Sequence, residues 1–306
     1  MSISKQANAS SEFTRKWFDF DRARDAFEYY LRQLKLADDE IVLLPNYIGF
    51  SEREGSGVFD PVIRSGVSYS FYEMDEILNI NVDSIISMIE SKKIKLIVVI
   101  HYFGYVDPNY DKIIKIARKS GIKVLEDQAH SFFTDICGGI TGRLCDASIY
   151  SLHKMFPVAT GGALSLTSTS QDSHAVNVSI LNLEHDVGFM ANRRILNATI
   201  LNKRLIPHDQ VLTVLRPYID SGVVPQTFPV LINDADRNEI YFKMNELGYG
   251  VVSLYHTMID EISKNQNYVT NSIAKSILNL PVHQDASEQD LNEMCDSLLS
   301  MLYGNS

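Results

Sequence analysis

Between Val124 and Leu166 the sequence places two short apolar runs, each of which ends in titratable side chains. The first, Lys123-Val124-Leu125-Glu126-Asp127, continues into Gln128-Ala129-His130; the second, Ser148-Ile149-Tyr150-Ser151-Leu152, continues into His153-Lys154 and later Gly161-Gly162-Ala163-Leu164-Ser165-Leu166. A helical pattern from Tyr110 to Ser120 enters the first run through Gly121. Upstream, Lys95 to Ile100 is the continuous apolar run of a parallel strand buried on both faces. Helix and strand periods alternating in this way predict an α/β fold with a mostly parallel central sheet flanked by helices. In open sheets of this class ligands sit at the carboxyl ends of strands, where Asp127 and Lys154 fall.

An acid closing one strand and a lysine just past another suit pyridoxal 5'-phosphate (PLP). That cofactor needs a lysine to hold its aldehyde as a Schiff base and an acid to keep its ring nitrogen protonated. Leu125-Glu126-Asp127-Gln128-Ala129-His130, taken with Ser151, Lys154 and Gly161-Gly162, resembles the DegT/DnrJ/StrS-type sugar aminotransferases, which have PLP-dependent transferase fold type I. The resemblance implies that Lys154 and Asp127 are catalytic, with Asp127 against the pyridinium nitrogen and His130 on the phenolic oxygen. It assigns Ser151 to the cofactor phosphate, together with the backbone N-H groups of a helix start at Ala23-Arg24-Asp25-Ala26. An aromatic ring stacks on the pyridine in this family, and Phe50 is preferred to Tyr47 because Gly49 lets the chain turn it inward. Tyr255 and His256 are expected at the substrate, along with Tyr47. The implied activity moves an amino group from an amino acid, glutamate above all, to a keto-sugar nucleotide or related keto compound, in a homodimer.

Some positions depart from the family pattern. A Gly-Thr/Ser-Ala-Ala helix start is absent, and Ser151 precedes Lys154 by three residues where relatives have five. Gly161 and Gly162 keep the family spacing, seven and eight residues after Lys154, so the serine loop reads as trimmed by two. After Thr167 the chain is shorter than its relatives. A family branch with histidine in place of the lysine consists of sugar dehydratases, which makes His153 notable and leaves a PLP- or PMP-dependent dehydratase as the alternative. A non-catalytic sensor or binding relative is a third reading.

Every one of these residues has a plainer reading. A lone lysine is ordinarily solvated, an acid at a strand end ordinarily caps a helix, and Phe50 and Tyr47 are types that fill cores. Asp25 is favourable at any helix start. His101, at the end of the apolar run, is a candidate for the pocket lining but reads more readily as a hydrogen-bonded structural residue, and Glu126 as either a solvated group or a neighbour supporting Asp127 from behind. The constellation favours the catalytic reading of Lys154 and Asp127.

With 306 residues, 45% of them hydrophobic, the chain can bury a large core. A net charge of -10 without a dense basic run argues against nucleic acid and anionic membranes as partners. Cys137, Cys145 and Cys295 have neither metal-ligand nor disulfide spacing, and with no signal-peptide core the expected place is the cytoplasm. The first dozen residues read as frayed, and a helix begins at Asp21. Residues 1–203 are expected to form the large cofactor-binding domain and 204–306 a small C-terminal one. In the latter, Phe228–Ile232 and Gly250–Leu254 read as strands, Asp234–Leu247 as a helix, and Ser287 with Asp290 as a capping box opening the last helix.

Overall fold

The structure, a computed structural model, describes residues 14–168, 185–266 and 268–304. The first dozen residues, expected to be frayed, lie outside that range. In chain order the elements are β1 (Thr14–Phe20), α1 (Ala23–Leu34), β2 (Ile41–Pro45), α2 (Phe59–Ser65), β3 (Ser68–Tyr72), α3 (Val82–Ser91), β4 (Ile94–Ile100), α4 (Tyr110–Lys119), β5 (Lys123–Asp127), α5 (Phe132–Ile136), β6 (Ala147–Ser151), β7 (Gly162–Ser168) and α6 (Val187–Leu205). There follow β8 (Leu212–Val214), β9 (Thr227–Ile232), α7 (Arg237–Glu246), α8 (Asp260–Ser263), α9 (Thr270–Ser276), β10 (Ile277–Pro281) and α10 (Glu288–Gly304).

Seven strands form one sheet in the order β1-β7-β6-β5-β4-β2-β3. From β6 to β3 all neighbours are parallel, while β7 runs antiparallel to both β6 and β1. The apolar run in β4 supplies the centre: Leu96, Ile97, Val98 and Val99 are fully buried, as a strand covered on both faces requires. Because β2, β4, β5 and β6 point the same way, their carboxyl ends open on one edge of the sheet.

Strand β1 was not expected. It pairs along its length with β7 and buries Arg15 beside Asp135, so a cation stands where an apolar residue would have signalled a strand.

The second unit is a three-stranded antiparallel sheet, β10-β9-β8. Phe228, Val230, Leu278 and Leu280 from its strands are buried with Ile240 and Met244 of α7 and Leu291 and Leu298 of α10. Helix α6 joins this core through Ala198, Leu201 and Leu205. The start of α6 packs on the other side, Met190 and Ala191 lying with Phe132, Phe133 and Tyr150 of the large unit, so the helix is shared between the two cores. Ser287 and Asp290 form a reciprocal cap: the Ser287 N–H donates to Asp290 Oδ2 at 2.8 Å and the Asp290 N–H to Ser287 Oγ at 3.1 Å.

No strand spans 250–254. Val252 makes a single bridge to Asn279, whose side-chain oxygen then takes the Leu254 N–H at 2.9 Å. At Tyr255 the backbone turns left-handed, with φ +64°. The chain next runs beside 48–50 of the large unit, where the Phe50 N–H donates to Thr257 O at 2.9 Å and the Ile259 N–H to Ile48 O at 3.1 Å. This crossing carries Tyr255 to the open edge of the large sheet.

Candidate active site

Neighbouring carboxylates at the end of β5 face opposite ways, as the strand pleat dictates. Glu126 is wholly buried and accepts from His101 Nε2 at 2.8 Å, Gln128 Nε2 at 2.7 Å, the Gly142 N–H at 2.8 Å and the Tyr110 hydroxyl. It is therefore an internal anchor behind Asp127, the supporting neighbour rather than the solvated group of the two readings the sequence left open. Burial alone would raise its pKa, but the hydrogen bond and charge of His101, with the Tyr110 hydroxyl, hold it below the ordinary value.

Asp127 faces a cavity of about 330 Å³. One oxygen, Oδ1, accepts the Ala129 N–H at 2.8 Å. Burial raises its pKa, with Lys154 opposing. At the end of β6, Ser151 leads into a single 3-10 turn, Leu152–Lys154, that sets Lys154 on the same cavity. Lys154 is exposed as a residue, and its amine lines the cavity among neighbouring protein groups. Burial lowers its pKa, Asp127 countering in part. Lys154 Nζ lies 3.2 Å from His130 Nε2.

His130 itself is buried, and its ring is stacked on Phe103 at 6.2 Å and flanked by Tyr255 at 5.7 Å. The Phe103 N–H donates to its Nδ1 at 3.3 Å. Burial first and Lys154 second depress its pKa well below the usual histidine value.

The opposite wall is the start of α1. Arg22 caps the helix without a side-chain hydrogen bond, and Arg22, Ala23 and Arg24 line the cavity. Gly162 permits this approach, because a Cβ there would lie 2.1 Å from the Arg22 carbonyl carbon. Arg24 donates to Glu54 O from a loop over the same cavity. Phe50, 41% exposed, and Tyr255 complete the wall.

Among the described residues no cluster of His, Cys, Asp and Glu could hold a metal ion, and no helix is long and apolar enough to cross a membrane.

Residues 23–184 match the sequence model of the DegT/DnrJ/EryC1/StrS aminotransferase family, and they contain Asp127, His130, Ser151 and Lys154. The chain belongs to this family. Among curated proteins, the spore coat polysaccharide biosynthesis protein SpsC of Bacillus subtilis is 29% identical over 129 residues, covering 42% of this chain and 32% of SpsC. The matched segments thus span about a third of the length of the curated relatives. Among solved structures, the Helicobacter pylori aminotransferase PseC, involved in pseudoaminic acid biosynthesis, superposes with a TM-score of 0.73 at 16% identity, covering 94% of this chain and 87% of PseC. Bacillus subtilis NtdA, solved with bound cofactor PMP, gives 0.71 at 16% identity over 94% and 73% of the two chains. These structural likenesses establish the fold.

In this family member the cavity brings together Asp127, His130, Ser151, Lys154, Phe50, Arg24 and Tyr255. Three expected residues are not among those lining it. Asp25 lies in the first turn of α1 behind Arg24. Tyr47 is fully buried one layer back, 5.2 Å from the Tyr255 ring, with its hydroxyl on Leu254 O at 3.4 Å. His256 is exposed and bonded through Nδ1 to Ser253 O at 2.6 Å, because the left-handed turn at Tyr255 sends the next side chain outward. Arg22 and Ala129 line the cavity without having been expected there. Of these, only Ala129 carried a sequence signal, its place between Asp127 and His130.

Proposed function

We propose that the chain is a PLP-dependent aminotransferase, moving an amino group from an amino acid such as glutamate to a keto-sugar nucleotide or related keto compound. One observation carries the reading: Lys154, Asp127 and His130, from two neighbouring strand ends, line a single cavity with the uncapped start of α1 opposite. The residues fit the cofactor. Asp127, 6% exposed, would pair with the ring nitrogen, His130 Nε2 would donate to the phenolic oxygen, and Ser151 with the first-turn amides of α1 would take the phosphate. Phe50, which lines the same cavity, would cover one face of the ring.

Bound PLP supplies an aldehyde that accepts the amino group and a ring that draws off the electrons left when a proton leaves the substrate carbon. The protein's part is to hold and move protons. Lys154 Nζ, whose pKa burial lowers, is the base for the substrate Cα proton and returns it at the far end of the transfer. Asp127 would stay ionised beside a cationic ring nitrogen. A homodimer in the cytoplasm, with a large cofactor unit and a small C-terminal unit, belongs to the same proposal.

The test is an absorbance scan of the protein with added PLP, before and after glutamate. A visible band that glutamate shifts, and that Lys154→Ala abolishes, is the expected result. A protein that stays colourless refutes the proposal, and a glutamate-insensitive band accompanied by loss of water from a sugar substrate would establish a dehydratase instead.

A further inference from the structure

We infer that, in the cofactor-free protein, His130 holds Lys154 as an uncharged amine by donating its Nε2–H to Nζ. The geometry assigns the tautomer. The Phe103 N–H donates to Nδ1 at 3.3 Å, so Nδ1 is an acceptor and the single proton of a neutral imidazole sits on Nε2. Nε2 lies 3.2 Å from Lys154 Nζ. An ammonium there would set N–H against N–H, whereas a free amine offers its lone pair.

The ring cannot flip without losing this arrangement. Phe103 is stacked against it at an interplanar angle of 21°, and Tyr255 packs against both rings, 5.7 Å from the imidazole and 6.3 Å from Phe103. The Phe103 backbone is itself left-handed, φ +60°, and is pinned by the Gln226 N–H on its carbonyl at 2.7 Å. A non-glycine residue held there stores strain. Here the strain keeps a backbone donor aimed at an imidazole.

The charged groups around Lys154 are few. Asp127 of β5 favours the ammonium, as does Glu54 of the loop over the cavity, while Arg24 of α1 opposes it; His153 stands on the lysine's own turn. Burial outweighs the two carboxylates, so the amine gives up its proton more readily than a free lysine. Lys154 is then a ready nucleophile before any cofactor arrives. On the aminotransferase reading, which this inference deepens, the same Nε2–H passes to the cofactor's phenolic oxygen on loading.

The test uses the full chain freed of cofactor. Competitive labelling with acetic anhydride, read by mass spectrometry against exposed Lys119, reports each amine's free-base fraction from pH 6 to 11. Lys154 should label to completion across the neutral range, its midpoint well below that of Lys119, since the inferred state is the free base where an ordinary lysine is almost wholly protonated. His130→Ala should move that midpoint toward Lys119. His130→Gln, whose amide can accept from Phe103 and donate to Lys154, should restore most of it. On the wild-type protein, ¹⁵N spectra of the histidine rings should give an Nε2–H tautomer for His130 at pH 7.5. An imidazolium, an Nδ1–H tautomer, or a His130→Ala profile identical to wild type overturns the inference. Wild-type protein that labels as expected but takes up no PLP supports the His130–Lys154 pair and refutes the aminotransferase reading.

Discussion

Replacing Gly49 by alanine should damage the site without touching any charged group. The added Cβ would lie 2.5 Å from Tyr255 Cδ1, 3.1 Å from Cε1 and 3.3 Å from Cγ. Ordinary carbon contacts begin near 3.5 Å, so the ring edge must retreat by about 1 Å. Gly49 does not lie in the left-handed region, so alanine adds no backbone strain of its own. The ring has little room: Tyr47, Tyr102 and His130 surround it with centroids at 5.2, 5.5 and 5.7 Å. It must press on His130 or swing into the cavity. Overpacking of this kind costs about 1–3 kcal/mol of stability, and a 1 Å error beside the reacting groups costs up to about 10²-fold in rate. We expect Gly49→Ala to lower kcat/KM by roughly 10–100-fold and to weaken PLP uptake measured by absorbance titration. The decisive comparison is a double-mutant cycle with Tyr255→Ala, which removes the ring that clashes. In that background Gly49→Ala should cost less than about twofold, because contacting residues fail to add. An equal penalty in both backgrounds would refute the steric argument and detach Tyr255 from the site.

Further outcomes follow from the two strand-end carboxylates. Because burial raises the Asp127 pKa, its ionised form is a net cost in the cofactor-free fold, so Asp127→Asn should raise the melting temperature without PLP. The same change should cut turnover by at least roughly 10²-fold, the usual worth of a positioned charge. Glu126→Gln removes the charge that four donors converge on and turns one of the two accepting oxygens into a donor, which should cost about 2–4 kcal/mol, a fall of roughly 5–15 °C by calorimetry. Since the folded carboxyl of Glu126 lies below its unfolded value of 4.5, its contribution is complete above that pH and fades as pH falls through the folded value. Acid melts of Glu126→Gln should accordingly be flatter below about pH 4.5 than those of wild type.

The parts legible in the sequence are those governed by short periods. Continuous apolar runs gave β4 and β5, and the pleat alone explains why Asp127 and Glu126 diverge, although it could not tell which one meets the cavity. Strand β1 escaped because its buried Arg15 is satisfied by Asp135 at 2.5 Å, by Tyr150 at 2.9 Å and by the Trp17 ring at 5.6 Å. Partners so distant along the chain leave no mark on local periodicity. Gly250–Leu254 failed for the opposite reason. Its β-branched composition suits a strand, but Asn279 captures the Leu254 N–H and ends the pairing after one bridge.

The cavity wall contributed by the second unit depends on several such non-local agreements at once. Tyr255 reaches His130 only because Asn279 releases the chain, because Tyr255 adopts φ +64°, and because position 49 has no side chain. None of the three has a periodic signature, and each has meaning only in the presence of the others. His256 then leaves the cavity as a consequence of the turn that admits Tyr255, so the two neighbours could never both have served the site. The left-handed φ costs of order 1–3 kcal/mol at a non-glycine residue. Such a conformation persists only where the surroundings over-determine it, and here they do so by packing Tyr255 among Tyr47, Tyr102, Phe103 and His130. The aromatic contacts that hold the strained turn are thus the same contacts that fix the imidazole facing Lys154, which couples the fold of the second unit to the protonation of the amine in the first.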